Sequence, residues 1–164
     1  MSKTIVLAVD VARSEPARHI RAAADLVREL AKADDEVVVL HVHEFAVGRF
    51  GRIRVDCADD QGDKLVADVV ADLSRAGLAA RGLVREADYG HVARAIIAAA
   101  RAVHAGMIVL GSGSRTDLPP VPLGSVANRL LHIAAIPVLI VPRQRPAELP
   151  AMTLRPAWVE SAIS

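Results

Sequence analysis

Short, uninterrupted aliphatic runs alternate along this chain with stretches of helical period. That alternation limits the fold more than any other feature. Residues 4–9, 36–42, 106–110 and 137–141 are too short for independent helices and too continuously apolar for strands with one wet face. Such runs suit strands covered on both sides, as in a parallel sheet. Residues 80–85 form a weaker strand, third in chain order. Pro137 stands at the first position of the last strand, where a missing donor matters least.

Between the strands the apolar period changes to that of a helix. Ile20, Ala23, Ala24, Val27 and Leu30 share one face over residues 17–31, with Ser14 as N-cap and Pro16 in the first turn. Leu65, Val66, Val69, Val70 and Leu73 do the same over residues 63–75, and Gly77 is a good stop. Val92, Ile96, Ala99, Ala100 and Val103 mark a third helix over residues 91–103, and a fourth runs from about Ser125 to Ala134. Residues 45–58 show no clear period and read as a loop containing glycine and arginine. The reading is an α/β fold: a single three-layer, doubly wound domain. Its five-stranded parallel sheet takes the flavodoxin-like order 3-2-1-4-5. The domain spans residues 1–142, and residues 143–164, with Pro146, Pro150 and Pro156, form an appended tail, either extended or docking onto a partner or second subunit through Leu149, Met152, Leu154 and Trp158. In this order the first and fourth strands flank the switch-point crevice, where ligands bind outside the strands' carboxyl ends.

Two sequence-distant features meet there. The first strand ends at Asp10. The fourth runs into Gly111-Ser112-Gly113-Ser114-Arg115-Thr116, and a helix opens at Gly124-Ser125. Small residues after a strand and free N–H groups at a helix start favour phosphate. A tight strand-to-helix turn without a ligand is the structural alternative, with Ser125 as an ordinary helix cap.

These segments, with Leu123-Gly124-Ser125-Val126-Ala127, Pro137-Val138-Leu139-Ile140-Val141-Pro142, Ile5-Val6-Leu7-Ala8-Val9-Asp10 and Val39-Leu40-His41-Val42, resemble the universal stress protein family over about residues 3–142. Nucleotide-binding members of that family carry a glycine, two residues, a second glycine, nine residues, then glycine and serine or threonine. Gly111, Gly124 and Ser125 match, and Ser114 replaces the second glycine. The resemblance implies a regulatory protein, not an enzyme, that holds ATP, with magnesium alongside the triphosphate. By the same resemblance Asp10 lies near the ribose or adenine, Val42 lines the adenine slot beside Ala8 and Val9, and Gly111, Ser114, Gly124, Ser125 and Val126 surround phosphates and ribose. It also implies a homodimer, joined through the edge of the fifth strand. Ser114, the prolines at 119, 120 and 122, and the longer turn Val11-Ala12-Arg13-Ser14 depart from the family pattern. They leave open a second function, a nucleotide-independent dimeric interaction module.

Other chemistries find little support. A formal net charge of +1 and an aromatic content of 2% give no pull toward nucleic acid and no base-stacking platform. A dinucleotide fingerprint needs a third glycine where Thr116 stands, and a Walker loop needs Gly-Lys-Ser/Thr. A receiver-type phosphoacceptor at Asp10 wants clustered acids and a strand-end lysine; the third and fifth strands end instead in Val84-Arg85-Glu86 and Val141-Pro142-Arg143. His41 and His43 share one face of a strand and read as packed, hydrogen-bonded side chains rather than metal ligands. No catalytic triad or catalytic Cys-His pair is assembled from the sequence. Arg49, Arg52 and Arg54 read as a solvated loop near the ligand mouth. Cys57 is the single cysteine, which fits a cytoplasmic protein without internal disulfides. No apolar run reaches the roughly 18 residues of a membrane span.

Overall fold

The computed structural model describes residues 3–11, 16–49, 51–55, 60–112 and 123–142. Ser14, Cys57, Ser114, the prolines at 119, 120 and 122, and the tail at 143–164 lie outside the described residues.

The elements are β1 (Thr4–Ala8), α1 (Pro16–Leu30), β2 (Glu36–Gly48), β3 (Gly51–Arg54), α2 (Gln61–Arg75), β4 (Ala79–Asp88), α3 (Val92–Ala102), β5 (Ala105–Gly111), α4 (Ser125–Ile133) and β6 (Val138–Val141). The parallel strands lie in the order β4-β2-β1-β5-β6, the expected 3-2-1-4-5 arrangement. The central register sets Ala8 beside Leu40 of β2 and Leu110 of β5.

One segment corrects the sequence reading. Residues 45–58 were expected to be a loop and the sheet to have five strands; the sheet has a sixth, β3, antiparallel to an extended β2. Phe45 pairs with Arg54, Ala46 with Ile53, Val47 with Arg52 and Gly48 with Gly51. The signal was hidden because this ribbon has no apolar face to bury: Val47 is 79% exposed and Ile53 56%. Cations hold it instead, the Arg52 guanidinium lying 4.4 Å from the Phe45 ring centre and that of Arg54 5.5 Å. Gly51, at φ 117°, supplies a backbone conformation that side chains resist.

Strand alternation divides the core into two layers. Val6, Val38, Leu40, Val42, Ile108 and Leu110 pack with Ala93, Ile96, Ala99, Ala127 and Leu130 on the α3–α4 face. Ile5, Leu7, Val9, Val37, Val39 and Val109 pack with Ile20, Ala23, Val27, Val66, Val69 and Leu73 on the α1–α2 face. The weak third-strand signal has a plain cause. β4 is largely exposed, and charges line it: Arg81 pairs with Glu36 at 2.7 Å and Arg52 with Glu86 at 2.9 Å. Such charges blunt a sheet edge.

At the amino-terminal end of the sheet Asp35 is buried. Its carboxylate accepts the Lys3 N–H at 2.9 Å and the Lys32 N–H at 3.0 Å, tying β1 to the α1–β2 turn. Hydrogen bonds from the Lys32 and Lys3 backbone hold its pKa below the ordinary carboxylate value.

Candidate functional site

The central strands end together because aliphatic runs of similar length start from a common register. β1 gives way to Val9 and Asp10, and β5 to Ser112. The pairing of Ala8 with Leu110 brings those ends side by side. Past Gly111 the chain stays tied to the sheet, as the Ser112 N–H donates to the Val141 carbonyl at 2.9 Å. The Ser112 carbonyl accepts the Gly124 N–H at 2.9 Å, which closes the neck of the loop between β5 and α4. The start of α4 is thus fixed against the end of β5. Gly124 is its N-cap, at φ −58° and ψ 155°, without a side-chain cap bond, so Ser125 is the first helical residue rather than the cap. The Asn128 N–H already bonds to the Gly124 carbonyl. The N–H groups of 125–127 are therefore those that no helical carbonyl reaches.

Ala8, Val42 and Val126 pack in the same apolar cluster as Leu40 and Leu110. This gives the mouth an aliphatic wall on the α3–α4 side. Val9 belongs to the opposite cluster, on the α1–α2 face. Asp10 is exposed at the lip. Gly111, Gly124, Ser125 and Val126 lie along the chain on either side of the Ser112–Gly124 hydrogen bond that joins β5 to α4; Ser114 falls outside the described residues.

The place of Val42 follows from strand geometry. The ladder from β1 to β2 ends at Leu40, and β3 joins β2 from Phe45 onward. β4 takes the other edge of β2 from Glu36 to Phe45. Backbone groups alternate between edges along a strand. The Leu40 carbonyl accepts the Val9 N–H, and the Glu44 carbonyl accepts the Val55 N–H. Val42 therefore turns its N–H and C=O to this same edge, in a gap where no described strand lies opposite. The gap opens beside Asp10.

Two features of the site were not legible in the sequence. The β2–β3 ribbon begins where this gap ends along β2, with Arg52 engaged by Glu86 and, at 3.7 Å, by Asp88. Glu44 accepts the Gly90 N–H at 2.6 Å and fixes the turn between β4 and α3. His41 and His43 are buried and hydrogen-bonded, as expected of packed side chains: His41 Nδ1 to the Val9 carbonyl at 3.0 Å, His43 Nε2 to Asp63 Oδ1 at 3.2 Å. Among the described residues no group of three or more His, Cys, Asp or Glu side chains is placed to hold a metal ion, and no helix is long and apolar enough to cross a membrane. The geometry suits a planar, partly apolar group against Val42, with anionic groups toward Gly111 and the start of α4.

A model of the universal stress protein family matches residues 1–142. Among curated proteins no match to this chain was found. Solved structures with the same fold include a universal stress protein from Archaeoglobus fulgidus, with 22% identity over 85% of this chain and 98% of the other, at a TM-score of 0.62. The universal stress protein from the same organism in complex with dAMP has 25% identity, 84% and 96% coverage, and a TM-score of 0.54. A universal stress protein family protein from Arabidopsis thaliana with AMP bound has 19% identity, 89% and 97% coverage, and a TM-score of 0.59.

Proposed function

Because this chain belongs to the universal stress protein family, whose model spans residues 1–142, we propose that it binds an adenine nucleotide, ATP, at the switch point and acts as a regulatory protein with little or no hydrolysis. The observation that carries this reading is the Ser112–Gly124 hydrogen bond, which sets the open amides of α4 beside the ends of β1 and β5. Relatives of the same fold in complex with AMP and dAMP support the ligand class.

The adenine lies against Ala8, Val42 and Val126, its ring edge paired with the Val42 main chain. Asp10 accepts from the ribose hydroxyls, and the Val9 main chain forms the lip. The phosphates sit over Gly111, Ser114, Gly124 and Ser125, where helix-start N–H groups favour negative charge. Magnesium would accompany the triphosphate as its counter-ion, supplying positive charge that the described residues do not.

The protein is a cytoplasmic homodimer in this reading. β6 is half-buried, with β5 on one side and no described strand on the other. α4, which packs beside it, exposes Leu131 and Ile133. Residues 1–142 form the nucleotide-binding unit, and residues 143–164 are an appendage to it.

Titration calorimetry of the full chain with ATP and magnesium, and with AMP, tests the proposal. Saturable heat at or below millimolar nucleotide is expected, and none from Gly124→Trp, whose backbone angles accept any residue. A folded protein that gives no heat with either nucleotide refutes it. If such a protein is still dimeric by light scattering, the nucleotide-independent interaction module stands instead.

A further inference from the structure

Among the described residues the buried polar side chains are Asp35, His41, His43 and Ser112. Asp35 secures the far end of the sheet and Ser112 forms the loop neck. The two imidazoles do neither. Burying a polar side chain is costly unless its hydrogen bonds are met, so the partners explain the rings.

His41 Nδ1 lies 3.0 Å from the Val9 carbonyl oxygen. A carbonyl only accepts, so Nδ1 carries the proton. In a regular parallel ladder, a residue whose N–H donates to one neighbour position receives at its carbonyl from the position two further on. The Val9 N–H donates to the Leu40 carbonyl at 2.8 Å, so its own carbonyl would fall to the Val42 N–H. It goes to the imidazole instead, and no bond joins the Val42 N–H to it.

We infer that His41 is a positioning residue. Its Nδ1–H replaces the ladder donor on the Val9 carbonyl and keeps the Val42 N–H on the open edge, where an adenine ring nitrogen accepts from it. One side chain thus stops the β1–β2 ladder one bond early and turns a strand amide into a recognition group. The inference rests on the nucleotide reading for its affinity consequence; the exchange of hydrogen-bond partners does not.

The ring's orientation is built into the fold. His43 meets His41 edge to face, with ring centres 4.7 Å apart, and is itself anchored to Asp63 at 3.2 Å. Gly62, in the first turn of α2, makes room for both rings. A Cβ there would lie 2.3 Å from His41 Cδ2, 2.4 Å from its Nε2 and 2.8 Å from His43 Cε1. The pair is therefore wedged between the sheet and α2, with Nδ1 of His41 aimed at β1.

Three substitutions in the full chain test this. His41→Asn sets an amide N–H about where Nδ1–H stands, His41→Gln reaches toward the Nε2 position, and His41→Leu has no donor. AMP affinity is measured by calorimetry. The Val42 amide in the nucleotide-free protein is followed by hydrogen exchange and by its through-bond coupling to the Val9 carbonyl in labelled protein. His41→Asn is expected to bind AMP within about twofold of the unsubstituted protein, and the Gln and Leu variants about tenfold more weakly, the weight of one hydrogen bond. In those two the Val42 amide exchanges more slowly and couples to Val9, because the ladder closes. A merely structural ring gives the reverse, faster exchange along β1 and β2 with Val42 included. The inference is overturned if the unsubstituted protein already shows the Val42–Val9 coupling, or if the Gln variant changes neither affinity nor Val42 exchange. If the unsubstituted protein binds no AMP, the nucleotide reading fails, and the amide measurement still decides the role of His41. If the Leu variant does not fold, the Asn and Gln pair carries the comparison.

Discussion

Gly62→Ala sets two effects of opposite sign against each other. Inside a helix, alanine stabilises by about 1 kcal/mol relative to glycine, because the unfolded chain loses freedom. Here the added Cβ would stand 2.3 Å from His41 Cδ2 and 2.8 Å from His43 Cε1. Ordinary contact between carbon atoms begins at about 3.5 Å, so the His41 ring must retreat by about 1 Å. Both rings are buried, and His41 is pinned to the Val9 carbonyl, so there is little room to retreat. Overpacking of this kind costs about 1–3 kcal/mol. A retreat of about 1 Å also stretches the 3.0 Å bond from His41 beyond useful length, at a further cost of about 0.5–1.5 kcal/mol. The expected net result is a loss of about 1–3 kcal/mol, a fall in melting temperature of about 3–9 °C for a domain of this size. Calorimetric melts of the two proteins measure it. The penalty should shrink in a His41→Ala background, where the ring is gone, which gives a coupling between the two positions. A Gly62→Ala protein that melts at or above the unsubstituted one refutes the account of the imidazole seat.

Three other outcomes are expected. Asp35→Asn lowers the melting temperature near neutral pH. Hydrogen bonds hold the native carboxyl pKa below its unfolded value of about 3.9, so the stabilisation is present above that pH and is lost as pH falls through the native pKa. The gap between the two proteins should therefore close in acid, as melts across a pH series would reveal. Leu130→Ala opens a cavity under α4, where Leu130 is 0% exposed, and should cost about 2–5 kcal/mol in urea unfolding with an unchanged slope. Ser114→Gly restores the glycine spacing of nucleotide-binding relatives and should tighten ATP binding by calorimetry. An unchanged affinity would shift attention to the prolines at 119, 120 and 122.

Much of the candidate site is proposed from local features of the chain. Asp10 ends an apolar run, and Gly111 and Gly124 bracket a strand-to-helix passage at the spacing of a known motif. The parallel order follows from the alternation of strands and helices, and it brings those ends to one crevice without any knowledge of side-chain packing. Val42 came only from the family resemblance. The role proposed for it depends on where the neighbouring ladders stop, and that register is absent from local periodicity.

The sequence by itself determined the doubly wound sheet, the two buried layers and which strand ends meet at the switch point. These follow from which residues avoid water and at what period, a property each segment carries alone. The tertiary structure decided the β2–β3 ribbon, whose exposed Val47 and Ile53 carry no burial signal, and the partnership of His41 with Val9. A period of two states only which face a histidine occupies. Whether it meets a carbonyl, and whether Gly62 leaves it room, depends on three segments far apart in sequence reaching a common register, and only the folded chain sets the distances that hydrogen bonds require.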